Sequence, residues 1–337
     1  MAEIDTLTEL DRIPLGDYPT PIESMPELGE ALGLSAFAVK NEGKTSPLYG
    51  GNKVRKLEFL LAEARANGCS TVFTTGGIGS NHVLATAAHA RENGFHPVAS
   101  QFPQPVTDHV RANLRSLARF DPELHLLRSE LLLPPHLLRK RLQTRFDNDV
   151  YYIPPGGSSI VGAVGYIEAA AELAAQIDAG KTPEPDVVVV PASSGGTLAG
   201  LVVGFDQAGI EAELVGVPAV ERYITNRLFI SRLANKIARA AGEAATYTRH
   251  DVTLCRGYLG DGYAEPTAEG ERVSDIAAEY GLRLDPTYTA KTVAAIVDSF
   301  SDKRVLYWHT LSTTRPEPLS VSETLSRLPD GYAQFFE

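Results

Sequence analysis

From about residue 50 onward, short apolar runs rich in β-branched residues alternate with longer stretches of helical periodicity, and this alternation constrains the chain more than any other feature. Thr71-Val72-Phe73-Thr74, Pro97-Val98-Ala99-Ser100, Val150-Tyr151-Tyr152-Ile153, Val187-Val188-Val189-Val190 and Val215-Gly216-Val217 read as strands, and 83–91, 110–117, 163–177 and 198–207 read as helices. Runs that are continuously apolar suit parallel sheets covered on both faces by helices. The fold class is therefore α/β. A length of 337 residues suggests about two domains. The Gly- and Pro-rich segment 178–186 reads as a surface connection and a crossing between lobes. Leu131-Leu132-Leu133-Pro134-Pro135 reads as a strand end followed by a proline-initiated helix.

Charge narrows the partners. There are 31 basic and 42 acidic residues, a net charge of −11, so nucleic acid and anionic membranes are not expected and a small molecule is. No apolar run approaches the roughly 18 residues that cross a bilayer, and the acidic N-terminus has no basic region followed by an apolar stretch. A cytoplasmic location is expected. Cys69 and Cys255 are too few for a disulfide framework or thiolate metal site and read as buried apolar residues; the eight histidines show no ligand spacing. No metal is expected.

Four glycine- and hydroxyl-rich loops stand where a strand hands over to a helix, the edge of an open α/β sheet at which ligands bind. The first, Tyr49-Gly50-Gly51-Asn52-Lys53, sets a lysine directly ahead of an amphipathic helix marked by Val54, Leu57, Leu61 and Ala64 and stopped by Asn67-Gly68. Lys53 is a candidate anchor for an aldehyde cofactor, although Lys53, Arg55 and Lys56 alone would read as the basic face of a surface helix. In the second loop, Thr75 to His82, Ser80 or Asn81 can cap the next helix while backbone amides face an anion. The third, Pro155-Gly156-Gly157-Ser158-Ser159, opens a helix near Gly162. The fourth, Ser193-Ser194-Gly195-Gly196-Thr197, reads as a cup for a single phosphate: glycines permit close backbone approach, hydroxyls add donors, and the helix end is positive. It lacks the endings of nucleotide and dinucleotide loops.

In this order, GGNKVRKLEFL, GSNHVLATAAHA, GGSSIVGAVGYIEAA, SSGGTLAG and LDPTYTAK resemble the pyridoxal-phosphate enzymes of the D-cysteine desulfhydrase and 1-aminocyclopropane-1-carboxylate deaminase family, over roughly residues 10 to 310. The resemblance implies a two-lobed type II fold with open, twisted, mostly parallel sheets covered by helices on both faces. It implies a division into 1–50 and 181–337 as the large cofactor domain, with 51–180 as the smaller one, and a homodimer. It also implies pyridoxal 5'-phosphate joined to Lys53, with its phosphate on Ser193, Ser194, Gly195, Gly196 and Thr197, its 3-hydroxyl on Asn81 and its pyridine nitrogen facing Thr310. Ser80, Asn81, His82 and Gly157 would receive the amino-acid substrate, and Tyr263 and Tyr288 would line the reacting side with Lys53 and Ser80.

An amine attacks an aldehyde only when unprotonated, so Lys53 needs a lowered pKa, then serves as a base once the substrate displaces it. Loss of the α-proton and then of a β-substituent would turn cysteine into sulfide, pyruvate and ammonia. Ring-opening members carry glutamate after the second tyrosine, where this chain has Thr289, which favours β-elimination. The alternatives are the ring-opening deaminase, a sister activity such as a cysteate sulfo-lyase or a β-replacement enzyme, and a protein that binds the cofactor without turnover. Three departures bear on this choice. Gly79 replaces a common glutamine, which predicts a larger pocket. Thr310-Leu311-Ser312-Thr313-Thr314-Arg315 replaces a glycine-rich continuation and predicts a reshaped wall. Asn41-Glu42-Gly43-Lys44 lacks a second acid and reads as structural.

Overall fold

The computed structural model describes residues 10–129, 132–133 and 149–337. Its strands form two sheets. The six-stranded sheet takes β1 (Ile22–Ser24), β2 (Ala36–Asn41), β7 (Val187–Ala192), β8 (Glu213–Pro218), β9 (Thr253–Leu254) and β10 (Arg304–His309), in the order β1-β2-β10-β7-β8-β9. Only the β1–β2 pair is antiparallel. The four-stranded sheet is parallel throughout, in the order β5-β4-β3-β6, with β3 Thr71–Gly77, β4 His96–Phe102, β5 Glu123–Leu126 and β6 Val150–Tyr152. All six residues of β7 are buried, which explains its unbroken valine run: a parallel strand covered on both faces has no polar side. The predicted α/β architecture is the observed one. Much of the Leu131–Pro135 reading lies outside the described residues.

The helices before β10 are α1 (Pro26–Ala31), α2 (Val54–Ala66), α3 (Asn81–Glu92), α4 (Asp108–Leu117), α5 (Ile160–Asp178), α6 (Gly196–Ala208), α7 (Arg227–Ala240), α8 (Ala268–Glu279) and α9 (Thr289–Ser299). The connection from β6 to β7 crosses between sheets through α5, and the polar 178–186 segment is its last stretch, from the end of α5 to β7. Helix α5 is long and apolar enough to cross a membrane by length and composition alone, but it carries Glu168 and Glu172 and packs against α2 and α6. Cys69 and Cys255 are only partly buried, not fully buried as the sequence suggested.

Helix α2 differs from its predicted amphipathic form. Residues 54–62 are all buried, Arg55, Lys56 and Glu58 included, because the helix lies under the rest of the chain on every side. Arg55 forms a two-bond pair with Glu42, Nε to Oε2 at 2.7 Å and Nη2 to Oε1 at 2.9 Å, and also reaches Glu172 at 3.0 Å. Glu58 accepts the backbone N–H groups of Leu15 and Gly16, and Lys56 donates to the Gly156 carbonyl at 3.0 Å. Buried charges persist only when paired and hydrogen-bonded. The basic string thus works as interior anchorage for the helix that starts beside Lys53, and the 41–44 turn is structural through Glu42.

Candidate active site

One cavity of about 440 Å³ collects the carboxyl ends of strands from both sheets: Thr75 to Gly77 of β3, Phe102 of β4, Pro191 and Ala192 of β7, and Thr310 just after β10. Backbone groups left unpaired at those ends and at the following helix starts face inward, which is why α/β sheets bind ligands there. Lys53, Ser80, Asn81, His82, Ser193, Ser194, Gly195, Gly196, Thr197, Tyr263, Tyr288 and Thr310 all line it. Gly157 does not; its neighbour Gly156 takes the wall position while Gly157 packs on Lys56 and Leu60.

Lys53 stands at the N-cap of α2, as the spacing predicted. Gly51, at φ +88°, makes the turn that delivers it, and a Cβ there would lie 2.6 Å from the Thr310 carbonyl. The Lys53 amine donates to Asn52 Oδ1 at 2.7 Å, and Asn52 is itself held by Thr197 at 3.2 Å. No carboxylate pairs with this amine among the described residues. Burial lowers its pKa from 10.5 to about 8, only partly opposed by Asp285. Lys56, on the same wall, is pushed well down by burial and by Lys53.

The Ser193–Thr197 loop joins β7 to α6. Gly195 sits at φ +85°, a left-handed conformation that side-chain-bearing residues rarely adopt, and its carbonyl takes the first helical bond from Ala199. The amides of Gly196, Thr197 and Leu198 are left without helical partners. The Gly196 N–H donates to Ser158 Oγ at 3.0 Å, and Ser158 Oγ lies 2.7 Å from Ser194 Oγ, so the third and fourth predicted loops meet at one helix end.

Ser80 caps α3 by accepting the Val83 N–H at 3.3 Å. The Asn81 carboxamide is held from behind: its Oδ1 accepts from Tyr49 at 3.1 Å, His109 at 3.1 Å and Asn113 at 2.8 Å. The sequence reading gave none of these three a role at Asn81, Tyr49 appearing there only in the Lys53 loop; the spacing of His109 and Asn113 by four residues on one helix was the available signal. His82 is buried with Nε2 2.8 Å from Thr74 Oγ1, and burial holds its ring well below the ordinary imidazole range, so it stays neutral.

Gly79 does not enlarge the cavity. A Cβ there would lie 2.5 Å from Val110 and 3.2 Å from Gln104 Nε2; Gln104 also accepts the Gly79 N–H, so neighbouring side chains fill the space. The Thr310–Arg315 stretch is stitched to the loop before Lys53: Ser312 accepts the Gly50 N–H at 2.7 Å, Thr313 bonds the Gly43 carbonyl and Thr314 the Ser46 carbonyl.

The phenol oxygens of Tyr263 and Tyr288 are 2.8 Å apart. Asp285, buried, holds the turn that presents Tyr288 by accepting the N–H groups of Thr287 and Tyr288 at 3.0 and 2.8 Å. Thr289 turns its hydroxyl to Asp285 at 2.8 Å and lies off the cavity wall. Burial, followed by Tyr263, raises Tyr288 well above an ordinary phenol. It is therefore a proton donor near neutrality and not a base.

The sequence pattern of the family described as pyridoxal-phosphate dependent enzyme matches residues 13–310. The chain belongs to that family. Among curated relatives, a D-cysteine desulfhydrase of Klebsiella pneumoniae (strain 342) is 36% identical over 320 residues, covering 91% of this chain and 95% of its own. One of Salmonella newport (strain SL254) is 36% identical over 318 residues, covering 90% and 94%. A solved ACC deaminase homologue superposes with a TM-score of 0.79 at 26% identity, covering 97% of this chain and all of its own. A fungal L-serine ammonia-lyase from Rhizomucor miehei, at 17% identity and TM-score 0.60, shares the fold. The protein is thus a pyridoxal-phosphate enzyme of the type II fold.

Proposed function

We propose that this enzyme eliminates the β-substituent of cysteine or a related β-substituted amino acid, giving sulfide, pyruvate and ammonia from cysteine. The observation that carries the reading is 36% identity to D-cysteine desulfhydrases over nine-tenths of both chains, joined to a threonine turned away from the cavity at position 289. The deaminase homologue among the solved structures favours ring opening as the second reading. Thr289 opposes it, since it offers no carboxylate there.

The cavity fits the cofactor. Lys53 supplies an amine with a lowered pKa, the start of α6 offers the amides of Thr197 and Leu198 beside the Ser193 and Ser194 hydroxyls, a set suited to a phosphate, and Asn81 lies on the same cavity wall. Thr310, on the same wall, is the hydroxyl that would face the pyridine nitrogen. Bound pyridoxal phosphate supplies an electron sink for the bond broken at the α-carbon. Lys53 Nζ, once free, takes the α-proton. Ser80 and the neighbouring Asn81 and His82 hold the substrate carboxylate at the start of α3, where the helix dipole favours a negative group. The Tyr263–Tyr288 pair donates a proton to the departing sulfur, and Asp285 keeps Tyr288 in place for that transfer.

We further infer a cytoplasmic homodimer. Sulfide and keto-acid release from D- and L-cysteine, cysteate, β-chloroalanine and 1-aminocyclopropane-1-carboxylate tests the reading. Sulfide from cysteine is expected; keto-acid from the cyclopropane without sulfide from cysteine would overturn it.

A further inference from the structure

The polar atoms behind Asn81 can be assigned from two groups whose roles are fixed. The Gly79 carbonyl can only accept, so the Asn113 side-chain atom 2.9 Å away is its nitrogen; that nitrogen also lies 2.8 Å from the Asn81 atom, which must then be the acceptor Oδ1. A guanidinium can only donate. His109 Nδ1, 3.2 Å from Arg315 Nη2, therefore accepts, and the single proton of the neutral ring sits on Nε2, 3.1 Å from Asn81 Oδ1; the Asn113 nitrogen, 3.2 Å from Nε2, has both its hydrogens directed to the Gly79 carbonyl and Asn81 Oδ1 and donates nothing to the ring. Tyr49 adds a third donor to the same oxygen. The Asn81 amide nitrogen is left toward the cavity with no bond to any described residue.

We propose that Arg315 is a positioning residue: by donating to His109 it sets the ring tautomer, and through His109 it fixes and polarises the Asn81 carboxamide that faces the cofactor. Arg315 comes from the stretch that departs from the family pattern, and the inference rests on the assignment of Asn81 to the cofactor's 3-hydroxyl. Donors on a carbonyl oxygen draw charge from its amide and strengthen the N–H on the other side. Without Arg315 the His109 proton is free to move to Nδ1. A lone pair would then face the Asn81 oxygen, and the carboxamide would lose one of the three contacts that orient it. Burial is the main influence on His109 and lowers its pKa to about 4; of the charged groups facing the ring, Asp285 opposes that lowering and Arg315 and Arg283 add to it, so the ring is neutral in the working range. Arg315 Nε is buried without a partner, so the guanidinium is held at this place despite an unsatisfied donor.

The test reads the cofactor, not turnover. A strong N–H donor to the 3-oxygen stabilises its deprotonated form, so weakening that donor raises the pH at which the visible absorption of the bound cofactor titrates. Holoenzyme carrying Arg315→Leu or His109→Phe should each titrate higher by roughly half a pH unit, about threefold in proton affinity. The double variant should move no further than either single one, and Arg315→Lys, which keeps a donor, should return toward the parent value. Unmoved midpoints in both single variants, or a double variant equal to their sum, would overturn the proposal; where Arg315→Leu does not fold, His109→Phe and Arg315→Lys decide it. Asn81→Ala separates the two levels: a spectrum indifferent to it refutes the Asn81 assignment, whereas a response to Asn81→Ala with none to Arg315→Leu or His109→Phe refutes this inference alone.

Discussion

In the cofactor-free protein, the Lys53 amine should titrate near 8 instead of 10.5. Its cause is burial on the cavity wall with the amide oxygen of Asn52 as its one direct partner among the described residues, so the charged form loses water and the Asp285 carboxylate, which forms no ion pair with it, offsets only part of that loss. A 2.5-unit depression raises the neutral fraction at pH 7 by about 300-fold, from about one molecule in 3,000 to about one in 11. The same depression costs about 3 kcal/mol of stability while the amine is charged. The sign follows from the unfolded chain holding the proton more tightly than the folded one: the cost is full below about pH 8 and fades as the pH rises toward 10.5. Competitive acylation of the cofactor-free protein from roughly pH 6 to 11, read by peptide mass spectrometry, measures the midpoint. In parallel, Lys53→Met should stabilise that form at pH 7 and give no gain above pH 10.5. A Lys53 midpoint above 10, with Lys53→Met neutral at every pH, would refute the desolvation argument.

Arg55→Leu strands the buried Glu42 carboxylate and should cost about 3–5 kcal/mol in urea unfolding, while Arg55→Leu with Glu42→Met should recover much of it; a single-variant loss under about 1 kcal/mol would count against the pair as the anchor of α2. Gly195→Ala forces a side chain into the left-handed turn and should weaken retention of pyridoxal phosphate on dialysis by about tenfold, from about 1–2 kcal/mol of strain at the phosphate loop. Tyr288→Phe should keep the cofactor's visible band but slow turnover by about 100-fold or more, with KM little changed; an unchanged rate would return that tyrosine to packing.

The valine strand Val187–Ala192, the alternation of elements and the position of Lys53 were legible because each depends on local pattern. Strand β2 was not, since Lys40 and Asn41 break its apolar run; Lys40 is wholly buried and balanced by Glu172 and Gln176, partners more than 130 residues away that no local pattern reveals. The burial of Arg55 and Lys56 was hidden for the same reason. At the site, the lining loops were readable from their glycines and hydroxyls. The convergence of Tyr49, His109 and Asn113 on Asn81 was not, because it joins three separate parts of the chain in space. Gly79 misled because an absent side chain reads as free volume until Gln104 and Val110 are seen to fill it.

The central claim is that Lys53 is the amine that carries the cofactor. Borohydride reduction of the enzyme as purified, followed by digestion and peptide mapping, tests it directly. The account predicts a pyridoxyl group on the peptide containing Lys53 and on no other. An unmodified Lys53 peptide, or the label on Lys56 or Lys40, would contradict it.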